Sequence, residues 1–288
     1  MLLTEWQWRL REQQHRARVQ PWIQPRLERR RHGRGHPVDD FLFEYYPYSP
    51  AKLATWHPGH KVILQGDASC FLSRGDYVEV ADGVTLSPES IAGKGDRLDL
   101  AMRILLGTRQ RPAMVNCFGL HEWAMVYRTD PGGIRHADQP LRVSPDQIAA
   151  TVEGLGLRCT HIDAFRFFTE TAAPMNTLTP TRASQPDLEQ AGCLHANMDL
   201  YKYAMWFQTH VGSDLVADCF ELAREARELD MRASPYDISG LGLEPIPVER
   251  ADGRAAYIGH QRQLMVQGVR LRDRLIETLG RLQHEVHR

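Results

Sequence analysis

Gly192-Cys193-Leu194-His195-Ala196-Asn197-Met198-Asp199-Leu200-Tyr201-Lys202-Tyr203-Ala204-Met205-Trp206-Phe207 is the stretch on which the reading of this chain turns. It is apolar and aromatic, has no proline, and places its one glycine at the edge, so it reads as a buried helix. His195, Asp199, Lys202 and Trp206 stand at i, i+4, i+7 and i+11 and share one helical face. Titratable side chains on an otherwise apolar helix are costly unless they are paired, ligated or used. Lys202 stands out further, because only four of the 35 basic residues are lysines.

Outward from that helix, the pattern is mainly helical with minor β (an α+β composition of one helical domain). Residues 5–34 predict a basic helix packed on the core, with nine arginines between Arg9 and Arg34 and Trp6, Trp8, Val19, Trp22 and Ile23 as apolar anchors. This gives a 1–35 arm and a single 36–288 catalytic or binding domain. Residues 61–90 alternate and carry the turn signals Arg74-Gly75-Asp76 and Ala81-Asp82-Gly83, which predict a small β excursion. Further helices are expected over 96–109, 112–128, 213–232 and from 252 to the end. Ser144-Pro145-Asp146-Gln147 marks another helix start. Short strands are expected near 157–168 and 244–249. Loops are expected over 129–142, with Pro131-Gly132-Gly133, and over 170–191.

With 288 residues, 42% of them hydrophobic, the chain can bury a large core, and a net charge of −1 argues against a nucleic-acid coat protein. Five scattered cysteines without CxxC spacing fit reduced thiols in the cytoplasm. The start Met1-Leu2-Leu3-Thr4-Glu5-Trp6 lacks the pattern of a signal peptide. No window approaches the roughly 18–20 apolar residues of a membrane span, so no membrane partner is expected. Walker A, GxGxxG, GxSxG and HExxH motifs are absent; after His121-Glu122 the second zinc histidine is replaced by Met125.

Four clusters carry chemistry. The first is His36, Asp39, Asp40, Glu44 and the aromatic run Phe41, Phe43, Tyr45, Tyr46 and Tyr48, which can stack a planar ligand or simply pack. In the second, His121 and Glu122 lie about 100° apart on a helix, so both can border one site without pointing straight at it; Trp123 adjoins them. In the third, His161, Asp163 and Phe165 share a face if the segment is a strand, with Arg166 beside them. The fourth is the His195 helix. His195 and Asp199 form a two-point arrangement for a metal, and Lys202 is a charge partner or, if desolvated, a nucleophile. Asp218, Glu221, Glu225 and Asp230 on the next helix offer a further carboxylate.

Five phrases carry a family resemblance: His36-Pro37-Val38-Asp39-Asp40-Phe41-Leu42-Phe43, Gly119 to Tyr127, His161 to Phe168, Cys193 to Lys202, and Glu228 to Asp237. Over most of residues 35–260 the chain resembles bacterial proteins catalogued as 3-methyladenine DNA glycosylases. The resemblance implies hydrolysis of the N-glycosidic bond of an alkylated purine, hence a DNA-repair hydrolase without cofactor. It departs from one well-known class of such enzymes in lacking a helix-hairpin-helix followed by a catalytic aspartate. The chemistry needs a stacking pocket, a carboxylate and basic contacts to DNA. Tyr45, Tyr46, Trp123, Tyr201 and Trp206 with Arg166 are the candidates for substrate binding. Glu122, Asp199, Lys202 and His121 are the candidates for catalysis, and the basic N-terminal helix is the candidate for DNA. The alternative is a helical enzyme on a small molecule whose divalent transition metal is held by His195, Asp199 and His161, with His121 or Glu122. A non-enzymatic ligand-binding protein is the third reading.

Overall fold

The structure is a computed structural model that describes residues 1–129 and 139–286; the expected Pro131-Gly132-Gly133 loop lies outside the described residues. Helices dominate, with one small sheet, as the mainly α composition predicts. The chain divides into two compact units. The first comprises Met1–Met102, Leu200–Glu221 and Leu271–Arg288, and the second Arg103–Asp199 and Leu222–Arg270.

The first unit holds the sheet. Strands β1 (Leu2–Leu3), β2 (Ile63–Leu64), β3 (Tyr77–Val80) and β4 (Gly83–Leu86) lie in the order β1-β2-β4-β3. β1 pairs parallel to β2 with Leu3 opposite Leu64, and the β3–β4 hairpin is antiparallel with Tyr77 opposite Leu86. The β excursion is thus present, and the first residues of the chain add an edge strand to it. Only glycine fits at position 83: φ is +138°, and a Cβ there would lie 2.1 Å from the Leu64 carbonyl oxygen. Trp8, Trp56, Phe71, Tyr77 and Leu86 close the core beside the sheet.

The N-terminal helix Glu5–Arg31 starts at a Thr4/Gln7 capping box. Its arginines are partly spent within the unit. Arg18 pairs with Asp218 and Glu221 at 2.8 and 2.7 Å, and Arg26 and Arg29 both hold the buried Asp40. Arg11, Arg30, Arg31 and Arg34 are exposed.

The second unit contains the helix Pro145–Leu155, the first part of Leu194–Trp206, and long stretches of Ser213–Ala233 and Ala251–Val286. Asn197 presses on the last of these at Gly268, where a Cβ would stand 2.2 Å from the Asn197 side-chain oxygen. Three local expectations are corrected here. The helix expected over 112–128 shrinks to Leu120–Ala124, because Phe118 and Gly119 take positive φ (50° and 67°) and break any earlier turn. The strand expected near 157–168 is a single bridge from Leu157 to Asn176 followed by the helical turn Ile162–Phe165. That turn is capped by the His161 side chain, whose Nδ1 accepts from the Asp163 backbone N–H at 3.2 Å. The 244–249 segment forms no strand, since Pro245 and Pro247 have no N–H to give a ladder. Among the described residues no helix is long and apolar enough to cross a membrane.

Candidate metal centre

The segment Gly119–Tyr127 is buried, and its backbone is strained at both ends, by Phe118 on one side and by Arg128 (φ 47°) on the other. Non-glycine residues in this region cost about 1–3 kcal/mol, and such costs concentrate at functional sites. The strain turns His121 and Glu122 inward. Trp123 anchors the turn: it is fully buried and its indole N–H donates to the Ala233 carbonyl at 2.8 Å.

On the helix that opens at Leu194, every residue from Leu194 to Tyr201 is buried. His195 meets His121 edge-on, with ring centroids 4.6 Å apart, and lies 5.4 Å from His161. The three imidazoles foreseen as separate clusters therefore converge. Four buried carboxylates join them. Asp230 Oδ1 lies 2.7 Å from His121 Nε2, and Glu189 Oε1 and Asp199 Oδ2 lie 2.9 and 3.4 Å from His161 Nε2. Arg227 Nη1 bridges Glu122 and Asp230 at 2.8 and 3.0 Å. Two three-residue groups result, His121–His195–Asp230 and His161–Glu189–Asp199, and within each the ligand atoms lie within 4.8 Å of one another. His195 and Asp199 are one helical turn apart on the same face, so this helix joins the two groups.

These contacts are close in distance, but His121 Nε2, His161 Nε2 and Asp230 Oδ1 are buried and make no well-directed hydrogen bond. Buried polar atoms are normally satisfied, and imidazoles crowded against carboxylates without that satisfaction are arranged as ligands around a shared cation would be.

Without a cation, protons must offset the carboxylates. Burial opposes a charged His161, but Glu189 and Asp199 outweigh it and raise its pKa to about 9. Burial likewise opposes charge on His121, and Asp230 then Glu122 prevail, raising its pKa. His195 is driven well down, first by burial and then by its neighbour His121. The carboxylates thus favour the protonated form of His121 and His161, and burial favours the neutral form of His195, which is the form of imidazole that ligates metals.

A cavity touches this centre at His121 and His195. It leaves about 20 Å³ accessible to the centre of a water-sized sphere, enough for one such molecule. Its walls include Cys117, Cys159, Cys193, Leu120, Leu157 and Phe168, with the Tyr257 ring at one side. Burial pushes the Cys159 thiol up to about 12 and raises Cys117 and Cys193 as well, so the thiols stay protonated and line the wall as weakly polar groups.

The other expected site residues lie elsewhere. Asp163 does not share a face with His161: it pairs with Arg182, and exposed Arg166 reaches it at 3.2 Å and covers the Phe167 ring. Lys202, in the first unit, holds its ammonium over the rings of Tyr203 and Trp206 at 4.9 and 6.0 Å. Tyr45, Tyr46 and Tyr201 form an edge-to-face network within the first unit: Tyr46 stands 4.8 Å from Tyr45 and 5.6 Å from Tyr201. Their faces are occupied by one another and by Phe41 and Phe220.

Sequence reasoning missed Glu189 and Arg227. Glu189 sits in a stretch read as a connecting loop. Arg227 carried a faint signal, because it and Asp230 stand at i, i+3 among Ala226, Leu229 and Met231, where a solvated stripe would not place apolar neighbours. Comparison of the chain with protein-family models, with curated proteins and with solved structures finds no match.

Proposed function

We propose that this chain is a metal-dependent enzyme whose buried histidine/carboxylate centre acts on a small molecule. One observation carries the reading: His121, His161 and His195 converge with Glu189, Asp199 and Asp230, and Nε2 of His121 and of His161 is buried against carboxylates without a well-directed hydrogen bond. Arg227 meets two of the four buried carboxylates, Glu122 and Asp230. A divalent cation supplies positive charge to such a buried group of carboxylates and takes the place of the protons that otherwise offset them.

The His121–His195–Asp230 group brings two imidazoles and one carboxylate together and borders the cavity. At the other half a cation on His161 Nε2 requires the ring proton to move to Nδ1, giving up the Asp163 N–H bond. That loss is about 1 kcal/mol, small beside the roughly 10 kcal/mol or more released when a structural zinc binds. Both halves therefore fill.

Metal analysis of protein purified without chelator tests this. Iron, manganese or zinc is expected near stoichiometry, with His195→Ala and Asp230→Asn each weakening retention at least tenfold and Lys202→Ala leaving it unchanged. Substoichiometric amounts of all three metals together sink the reading. The competing reading, cleavage of an alkylated purine, rests on the family resemblance. Release of methylated base from DNA by chelator-treated protein would favour it.

A further inference from the structure

The two metal groups differ in what reaches them. His121 and His195 line the cavity, whereas His161, Glu189 and Asp199 do not. The cavity therefore bears on the His121–His195–Asp230 group alone. Its space of about 20 Å³ for the centre of a water-sized sphere holds one molecule of that size. Its wall is mixed: Leu120, Leu157 and Phe168 present carbon, and Thr160 and Tyr257 bring hydroxyl groups.

Tyr257 is the informative member of that wall. It stands on the helix Ala251–Val286 and is fully buried. Its hydroxyl neighbours the Cys117 thiol but makes no well-directed hydrogen bond among the described residues. A buried tyrosine hydroxyl normally finds a partner, and one left unsatisfied is costly. The hydroxyl is also placed: a Cβ at Gly119 would stand 3.5 Å from it, and Gly119 directly precedes the turn Leu120–Ala124 that carries His121. The phenol oxygen, and not only the ring, therefore lies towards the His121 turn.

The metal group is matched to it. His121, His195 and Asp230 offer one ligand atom each. Closed structural zinc sites take four protein ligands, whereas catalytic sites take three and leave the next position to water or substrate. Both imidazoles of this group border the cavity, so a metal they hold opens to that space. A buried water needs two to four polar partners. The metal and the Tyr257 hydroxyl supply two, and Thr160 lies on the same wall.

From the cavity, the unsatisfied phenol and the three-ligand group we infer that the metal at His121–His195–Asp230 carries a single water or hydroxide in the cavity, and that Tyr257 is the positioning residue that hydrogen-bonds it. This rests on the metal-dependent reading above. The phenol O–H donates to the oxygen of that ligand and fixes its direction. Metal-held water is the ligand that hydrolytic metal centres use as nucleophile. The His121 group is then the reactive half of the centre, and the His161–Glu189–Asp199 group, away from the cavity, is the supporting half.

The full-length chain, freed of metal and reloaded with cobalt(II), provides the test, with fluoride as a water-sized anion that competes for the same position. Bound cobalt is counted first, and visible absorbance is then followed as fluoride is added. Wild type is expected to hold cobalt and to respond to one fluoride per chain. Tyr257→Phe is expected to hold as much cobalt and to bind fluoride at least tenfold more weakly, because a hydrogen bond to a charged acceptor is lost. Loss of a merely structural hydroxyl would leave the fluoride affinity where it was. His195→Ala, at cobalt concentrations that keep the other group filled, is expected to lose the response. Retained cobalt with no fluoride response, a response that survives His195→Ala, or equal fluoride affinity in Tyr257→Phe would each overturn this inference and leave the metal reading standing. Failure of the chain to retain iron, manganese, zinc or cobalt would overturn both.

Discussion

Arg227→Met is the most demanding single test of the centre. Arg227 is 1% exposed and its guanidinium holds Glu122 at 2.8 Å and Asp230 at 3.0 Å. At an effective dielectric of 20, each contact near 3 Å supplies about 5–6 kcal/mol of Coulomb attraction. Most of that offsets the desolvation of three buried charges. Removing one partner of a buried ionic group leaves the others uncompensated, and the net loss in such cases is about 3–5 kcal/mol. Methionine fills similar volume, so a cavity adds little. In chelator-treated protein, urea denaturation should therefore show Arg227→Met less stable than wild type by about 3–5 kcal/mol. A bound cation takes over the charge that Arg227 supplied, and the variant centre is one unit more negative and binds it more tightly. With saturating metal the deficit should shrink below about 2 kcal/mol, by the linkage between binding and stability. An equal loss with and without metal would refute the idea that carboxylates, arginine and cation share one charge balance. A metal-free loss under about 1 kcal/mol would refute the burial argument itself.

Two further outcomes follow from other parts of the molecule. His57 and His210 in the first unit have pKa values lowered to about 3 and about 4, in both cases chiefly by burial. Their folded-state values lie below the unfolded 6.5, so the stability they confer is complete above pH 6.5 and is lost as pH falls below it, by about 2 kcal/mol each at pH 5. Urea titrations at pH 7 and pH 5 should show a pH-dependent loss that His57→Gln reduces by about 2 kcal/mol; an unchanged loss would mean His57 is not kept neutral. Gly268→Ala brings a Cβ to 2.2 Å from the Asn197 oxygen, and should destabilise by about 1–3 kcal/mol while lowering metal affinity through the displaced His195 helix. Unaltered thermal unfolding in that variant would show that the two helices have room to part.

The sequence by itself determined what depends on near neighbours. The Leu194–Trp206 helix, the Ser213–Ala233 and Ala251–Val286 helices and the β3–β4 hairpin follow from periodicity, caps and glycine turns, which act over a few residues. The pairing of His195 with Asp199 along one face was legible for the same reason. Where local signals compete, the reading failed. His161 and Asp163 looked like one face of a strand, but the imidazole capping the Asp163 N–H tightens the backbone into a helical turn that sends Asp163 to Arg182. The burial of Glu189 and its approach to His161, and the Arg227 bridge from Asp230 to Glu122, belong to the tertiary structure alone. These partners come from segments far apart in the chain, and electrostatic attraction in a low-dielectric interior depends on distance in space, which the order of residues does not encode.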